Sequence, residues 1–228
     1  MYEAVHVTPD GNTTPARFVS TAAQYGYGGI VLCGEYDTVA LQDLEDTYDI
    51  TVVRGTTIPA TDRDTVAKAI DAARADVDVL MVLAEETEMQ RFVAQREQVD
   101  VLATGADIEH TTAKVARDNG IALTCDFGPL VHQRGADRTA AIRALRRQWR
   151  IIEHYDIPVV VTTHAASHLS LRAPREIRAL GEAIGFEGEC INQGLDYWRT
   201  IANRTKRNRC DRFIEPGVRI VDDEADTG

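Results

Sequence analysis

The chain of 228 residues is 44% hydrophobic and 27% charged, a globular composition that excludes an intrinsically disordered protein. A chain of this length buries roughly 70–75% of its unfolded surface without needing disulfide or metal staples. No apolar run reaches the roughly 18 residues of a membrane span, the N-terminus shows no signal peptide, and no CxxC pair occurs. We therefore expect a soluble, cytoplasmic protein with reduced thiols and no membrane partner.

The charges are distributed unevenly along the chain. There are 36 acids and 25 bases, for a net charge of −11, and the bases are 22 arginines and 3 lysines. Such an acidic, lysine-poor composition is typical of a halophile, although GC-rich codon usage also produces it. Six bases lie in residues 134–150, the first basic island, and six more in residues 199–212, the second basic island. Two basic islands on an acidic body predict a localised face that binds a polyanion, the alternative being two solvated helix faces.

The apolar pattern alternates between short β-branched runs and longer helical segments. Strands are predicted over 4–7, 29–33, 50–54, 78–83, 100–103, 121–125 and 159–163, with a short last strand over 218–221. Helices are predicted over 15–22, 39–48, 62–73, 86–97, 110–119, 137–155, 174–184 and 195–208. Thr61 or Asp62 is expected to cap the third helix, and Pro15 and Pro174 to begin the first and seventh.

Seven or eight successive βα units indicate an α/β fold with a parallel sheet that is buried on both faces. That number of units in about 220 residues favours a closed, TIM-barrel-like parallel barrel over a doubly wound sheet. We predict a single barrel domain over residues 1–228. Residues 186–228 depart from the repeat, and we interpret them as a basic, helical C-terminal appendage.

Functional residues of such a barrel gather where the strands end at its C-terminal face. The candidates at that rim include His6, Arg54, Asp126 and His164. A two-metal hydrolase site would need more ligands, because Ala4 stands where a second histidine would be and the last strand offers one histidine. A PHP-like, metal-dependent phosphoesterase that uses His6, Asp126 and His164 is therefore kept as the alternative function, and no metal site is predicted otherwise.

Several further residues bear on the binding of nucleic acid. Pro174 places Arg172 and Arg175 near a helix N-terminus, where phosphate is favoured. Trp149 precedes Arg150, and the pair Tyr197 and Trp198 precedes Arg199; these aromatic residues either stack on bases or anchor the core. No glycine-rich phosphate loop is present in the sequence.

The order of the motifs along the chain resembles one known family. The segments that carry the resemblance are Val99–Leu102, Thr112–Leu123 and Gly128–Leu130, then Val159–Ala165, Leu171–Leu180 and Gly185. Together with Glu88–Arg91 they are similar to ribonuclease P protein component 3, the barrel subunit of the archaeal and eukaryotic ribonucleoprotein that processes tRNA. The resemblance extends over roughly residues 1–220. His164 departs from the family, in which a small or hydroxyl residue is more usual.

The resemblance implies a PHP-type barrel that has no catalytic residues of its own. In that family the RNA subunit catalyses removal of the 5′ leader of precursor tRNA, using magnesium, and the protein supports the RNA and pairs with component 2. No cofactor bound by the protein is expected. The acidic body departs from basic relatives, as a haloarchaeal version would. We predict that the RNA-contacting residues are Arg134, Arg138, Arg147, Arg172, Arg175, Arg204, Lys206 and Arg207.

Overall fold

The computed structural model describes residues 1–7, 11–105, 107–208, 213–215 and 218–219. Strands and helices alternate as predicted, and none of the helices in these ranges is both long and apolar enough to cross a membrane. The strands are β1 (Tyr2–His6), β2 (Gly29–Cys33), β3 (Thr51–Pro59), β4 (Val79–Ala84), β5 (Val101–Thr104), β6 (Ala122–Asp126), β7 (Val159–Thr162), β8 (Phe213–Glu215) and β9 (Val218–Arg219). The helices are α1 (Pro15–Gln24), α2 (Thr38–Tyr48), α3 (Arg63–Arg74), α4 (Thr87–Val93), α5 (His110–Asp118), α6 (Gly128–His132), α7 (Gly135–Tyr155), α8 (Pro174–Ala183) and α9 (Gly188–Asn208).

The helix boundaries follow local capping chemistry. Asp62 is the N-cap of α3 and accepts a hydrogen bond from the Thr65 amide at 2.9 Å, while Pro15 and Pro174 begin their helices as predicted. Gly120, with a φ of +67°, ends α5. Three boundaries differ from the prediction by more than two residues: α4 ends at Val93, β3 continues to Pro59 and α9 begins at Gly188.

The first seven strands form one parallel sheet in the order β1 to β7, and the sheet curls into a nearly closed barrel. Between β1 and β7 the ladder is reduced to one bridge from Val5 to Ala165, where the His6 amide donates to the Ala165 carbonyl at 3.0 Å. The predicted short last strand is confirmed at Val218–Arg219, and it does not join the seven-stranded sheet. Its described part, β9, pairs antiparallel with β8 in a separate sheet.

The barrel interior is filled by alternate residues of neighbouring strands. Register pairs such as Ala4 with Val31 and Met81 with Val101 place these side chains in one buried cluster. Cys33 belongs to this cluster, and Cys125 is buried in the layer between sheet and helices, so both thiols lie in the core as expected. The outer faces of the strands pack against the helices in two further apolar clusters.

Helix α9 lies along the seam between β1 and β7. The indole of Trp198 is fully buried in the interior cluster and donates to the Val161 carbonyl at 2.9 Å. Gly194 permits this approach, since a Cβ there would lie 2.5 Å from a Val161 methyl carbon. The predicted appendage, residues 186–228, includes α9. Its residues 188–208 thus form a helix that completes the barrel core.

The far end of α9 is anchored at the N-terminal edge of the sheet. Arg204 donates from Nη2 to Asp100 Oδ1 at 2.8 Å and from Nη1 to the Gly120 carbonyl at 3.2 Å. The Asp100 side chain is 6% exposed, also pairs with Arg74, and accepts from the Leu80 amide. Since Asp100 precedes β5 and Gly120 precedes β6, this network fixes α9 below two strands.

A buried carboxyl group lies in the seam itself. Glu3 Oε1 accepts from Thr162 Oγ1 at 2.7 Å and from the Thr163 amide at 2.9 Å. Glu3 Oε2 lies 3.5 Å from the Tyr27 hydroxyl, whose own proton goes to the Arg172 carbonyl at 2.7 Å. Burial raises the pKa of Glu3 from 4.5 to about 8, so the seam holds a neutral acid at pH 7.

Glu3 makes the stability of the barrel depend on pH. Because its pKa is about 8 in the folded chain and near 4.5 in the unfolded chain, the folded state binds the extra proton between these values. The free energy of unfolding therefore falls as pH rises through this window, by up to about 1.4 kcal/mol per pH unit. Glu3→Gln, which keeps an acceptor and a donor in place, removes this dependence.

The measurement is denaturant unfolding of both chains at about pH 5 and about pH 8, at constant salt. We expect the wild type to lose stability relative to Glu3→Gln as the pH rises. Other titrating groups are common to both proteins and cancel in the difference. A difference that stays constant with pH would show that Glu3 does not change its protonation in the folded chain.

Arg204 and its neighbour Arg207 form a matched pair for testing the anchor. Arg204→Ala deprives the buried Asp100 carboxylate of one of its two guanidinium partners, and we expect a loss of about 1–2 kcal/mol in the free energy of unfolding, given that Arg204 is one-third exposed. Arg207 is exposed and has no acid partner among the described residues, so Arg207→Ala should leave stability unchanged. The free energy of unfolding of both variants is measured in urea. Equal losses for Arg204→Ala and Arg207→Ala would refute the anchoring role.

Candidate nucleic-acid interface

Two histidines meet at the C-terminal mouth of the barrel. His6 ends β1, and His164 follows β7 in the left-handed backbone region with a φ of +45°. Their rings stack at 5.4 Å, with His6 Nε2 and His164 Nδ1 3.1 Å apart. One ring nitrogen of each histidine therefore serves a histidine–histidine hydrogen bond.

Asp126 completes the set proposed for the alternative metal-dependent function. Its Oδ1 accepts from the Gly128 amide at 2.7 Å, which turns the chain into α6. Within the part of the chain that the structure describes, no group of three or more His, Cys, Asp or Glu side chains is arranged to hold a metal ion. His6, Asp126 and His164 thus do not converge as ligands, and the phosphoesterase alternative is not favoured.

The prediction that Arg54 lies at the functional rim is wrong. Strand β3 continues to Pro59, so Arg54 lies within the strand and not at its end. Its guanidinium pairs with Asp78, with Nη2 3.2 Å from Oδ1. Arg54 therefore forms an ion pair within the sheet and does not reach the C-terminal mouth of the barrel.

A groove of about 500 Å³ opens beside the ends of β5 and β6, under the first half of α7. Its walls are largely apolar and include Pro129, Ala141 and Ala144. Gln148 lies at the bottom, 3% exposed, and donates from Nε2 to Thr104 Oγ1 at 3.1 Å and to the Thr124 carbonyl at 3.0 Å. The sequence patterns did not predict this groove. The signal that could have indicated it is Gln148, a polar residue on the otherwise apolar face of α7.

The first basic island begins at the mouth and follows α7. Arg134, its N-cap, and Arg138 are exposed and have no carboxylate partner within the described ranges. Arg147 lines the groove and pairs with Asp107 at 3.1 Å, and Arg146 donates to the Ile184 carbonyl at 2.8 Å. The island thus contains both free and structural cations.

The other predicted RNA-contacting residues also include both bonded and exposed cations. Arg172 is half-buried and donates to the carbonyls of Leu169 and Leu171, while Arg175 is exposed in the first turn of α8. Of the second basic island, Arg204 is held by Asp100, whereas Lys206 and Arg207 are exposed. Of its remaining members, Arg199 is exposed on α9 and pairs with Asp196 at 3.5 Å, while Arg209 and Arg212 lie outside the described residues.

The start of the first basic island and the described part of the second lie at opposite ends of the barrel. Arg134 and Arg138 lie near the C-terminal ends of the strands, where α6 leads into α7, while Arg204 contacts residues just before β5 and β6. Whether both islands contact one polyanion stays a prediction. Each end has its own set of exposed cations.

The tryptophans beside the islands belong to the core. Trp198 is fully buried, and Trp149 is 6% exposed and stacks on Phe186 with ring centroids 4.6 Å apart. Of the two roles that the sequence allowed, the core role is confirmed for both. Tyr197 is half-buried and packs against the interior cluster.

Comparisons with known proteins agree on one family. The family model described as RNase P subunit p30 matches residues 1–209. Ribonuclease P protein component 3 of Halobacterium salinarum is 43% identical over 225 residues, covering 96% of this chain and 97% of the relative. The same component of Halorubrum lacusprofundi is 41% identical over 233 residues, covering 96% and 97% respectively.

A solved structure shares the fold. A chain of a cryo-EM structure of archaeal ribonuclease P with mature tRNA superimposes with a TM-score of 0.82 at 16% identity, covering 98% of this chain and 100% of that one. The resemblance seen in the sequence motifs and the predicted α/β barrel are thereby confirmed. The chain belongs to the RNase P subunit p30 family.

Proposed function

We propose that this chain is a protein subunit of ribonuclease P, which removes the 5′ leader of precursor tRNA, and that it binds and supports the catalytic RNA. The observation that carries the proposal is the family match over residues 1–209. The described surface is consistent with it, because exposed arginines without carboxylate partners lie on a chain whose net charge is −11. Arg134 and Arg138 are the strongest candidates for phosphate contacts.

The chain itself performs no catalytic step in this proposal. The mouth residues support that assignment, since the rings of His6 and His164 bond to each other and the Asp126 carboxylate orients a backbone turn. Magnesium serves the RNA subunit, and the protein binds no cofactor. The partners are ribonuclease P RNA, precursor tRNA within the holoenzyme, component 2 and the other protein subunits, all in the cytoplasm.

High salt explains why the contact surface is made of arginine. At about 1 M salt the Debye length is roughly 3 Å, so long-range attraction is screened and contacts must be made at hydrogen-bond distance. Arginine suits this condition, because its planar fork donates two parallel hydrogen bonds to one phosphate. At contact distance the acidic body elsewhere offers carboxylates and few cations to RNA, so phosphate contacts are restricted to the exposed cations.

The proposed assembly role is tested by reconstitution. Precursor tRNA cleavage is measured with the RNA and the other protein subunits, with and without this chain, across a magnesium titration in high salt. We expect the chain to lower the magnesium concentration required for cleavage. No effect on rate or on magnesium dependence would contradict the proposal.

The arginines at the start of α7 are tested by a charge-matched pair of variants. Arg134→Ala with Arg138→Ala should weaken RNA binding by at least about fivefold and reduce the slope of log K against log salt by about two, as two phosphate contacts are lost. Arg17→Ala with Lys68→Ala removes the same charge from exposed positions outside both islands and should change neither value. The measurement is RNA affinity at several salt concentrations, and equal slopes for the two variants would contradict these contacts.

A further inference from the structure

The groove under α7 has the size and composition of a binding site. Its volume of about 500 Å³ falls within the roughly 300–1,000 Å³ of small-molecule pockets, and it opens at the C-terminal face, where barrels hold their ligands. Pro129, Ala141 and Ala144 provide apolar walls. Such walls accommodate the face of a planar, uncharged group.

Two polar side chains of the groove, Gln148 and Asp126, present unused hydrogen-bond acceptors, while the exposed Gln133 carries both a donor and an acceptor. Both Nε2 hydrogens of Gln148 are used, by Thr104 Oγ1 and the Thr124 carbonyl, which leaves the Oε1 acceptor without a partner among the described residues. Asp126 uses Oδ1 for the Gly128 amide, and within the same described ranges Oδ2 accepts no hydrogen bond. A ligand that satisfies this groove must therefore present N–H donors.

The outer edge of the groove has the opposite character. Arg147 lines it, and Arg134 and Arg138 begin the helix that forms one wall. Asp137 is the acid at this edge, and it lies in the first turn of α7, where the helix dipole favours a negative charge. Hydrogen-bond acceptors inside the groove and cations at its edge suit a ligand group that has several N–H donors and is attached to a phosphate.

From this arrangement we infer that the groove binds one unpaired guanine of RNA, with its N1–H and N2 amine toward Asp126 and Gln148 and its backbone toward the arginines of α7. Guanine presents adjacent donors on its Watson–Crick edge, whereas uracil, cytosine and adenine each set an acceptor beside their donor there. A cationic side chain would also satisfy the acceptors, but the exposed arginines at the edge repel it. The inference rests on the proposed function and adds a base-specific contact to it.

The test deletes single donors from the RNA and single acceptors from the protein. Ribonuclease P RNA, and in a separate arm precursor tRNA, is transcribed with sparse inosine phosphorothioate in place of guanosine, which removes the N2 amine. Each is assembled with the other subunits and with wild-type chain, Asp126→Asn or Asp43→Asn. Bound RNA is then separated, and iodine cleavage shows where inosine is excluded.

Asp126→Asn keeps the Oδ1 acceptor that bonds the Gly128 amide and replaces Oδ2 by a donor, so the turn into α6 is preserved. Asp43 is exposed on α2, on another part of the barrel, which makes Asp43→Asn the matched control. Ala141→Leu, which fills the groove from its apolar wall, is a second variant that leaves Asp126 intact.

We expect one unpaired position at which inosine is depleted by at least about fivefold with wild type and Asp43→Asn, and not with Asp126→Asn or Ala141→Leu. The arm in which that position appears identifies the RNA that supplies the guanine. Normal assembly with no position that depends on Asp126 would overturn the guanine site and leave the proposed function standing. Weakened binding of a protein subunit by Asp126→Asn, with no inosine effect, would assign the groove to a cationic side chain instead. Failure of the chain to associate with either RNA would refute the proposed function itself.

Discussion

The seam between β1 and β7 is the constraint on which the rest of this barrel depends. Seven strands leave the ladder incomplete, with one bridge from Val5 to Ala165, so polar groups of both strands need other partners. Glu3 supplies an acceptor for Thr162 and Thr163, and burial keeps it neutral, which avoids an uncompensated charge. Trp198 fills the remaining space from α9. A side chain and a helix thus replace an eighth strand.

This closure also determines how the polar side chains at the mouth of the barrel are arranged. The bridge at Val5 brings the ends of β1 and β7 together, so His6 and His164 lie within hydrogen-bond distance of each other. Asp126 is committed through one oxygen to the turn into α6. That turn positions the start of α7 over the ends of β5 and β6, where the groove forms. In the proposed function, the rim therefore acts through the side of the barrel where α7 begins and not through the histidine pair.

The features predictable from sequence are those that local pattern controls. Apolar periodicity identified the seven strands, and Asp62, Pro15 and Pro174 marked helix starts because capping is settled within a few residues. The role of Arg204 was not predictable, because it depends on Asp100, which is 104 residues away in sequence. The barrel seam and the groove likewise arise from contacts between distant segments. Charge counting found the basic islands, but only the fold shows which arginines are already bonded within the protein.

The division of cations between exposed and bonded groups bears on the proposed binding of RNA in high salt. Arg172 and Arg204 donate to carbonyl and carboxylate groups of the chain, so part of their hydrogen-bonding capacity stabilises the fold. Arg134 and Arg138 keep all their donors available at the mouth. When salt removes long-range attraction, specificity must come from fixed donors and acceptors at contact distance. Exposed arginines beside a groove with unfilled acceptors provide both kinds of contact at one end of the barrel, whereas Lys206 and Arg207 at the other end provide charge alone.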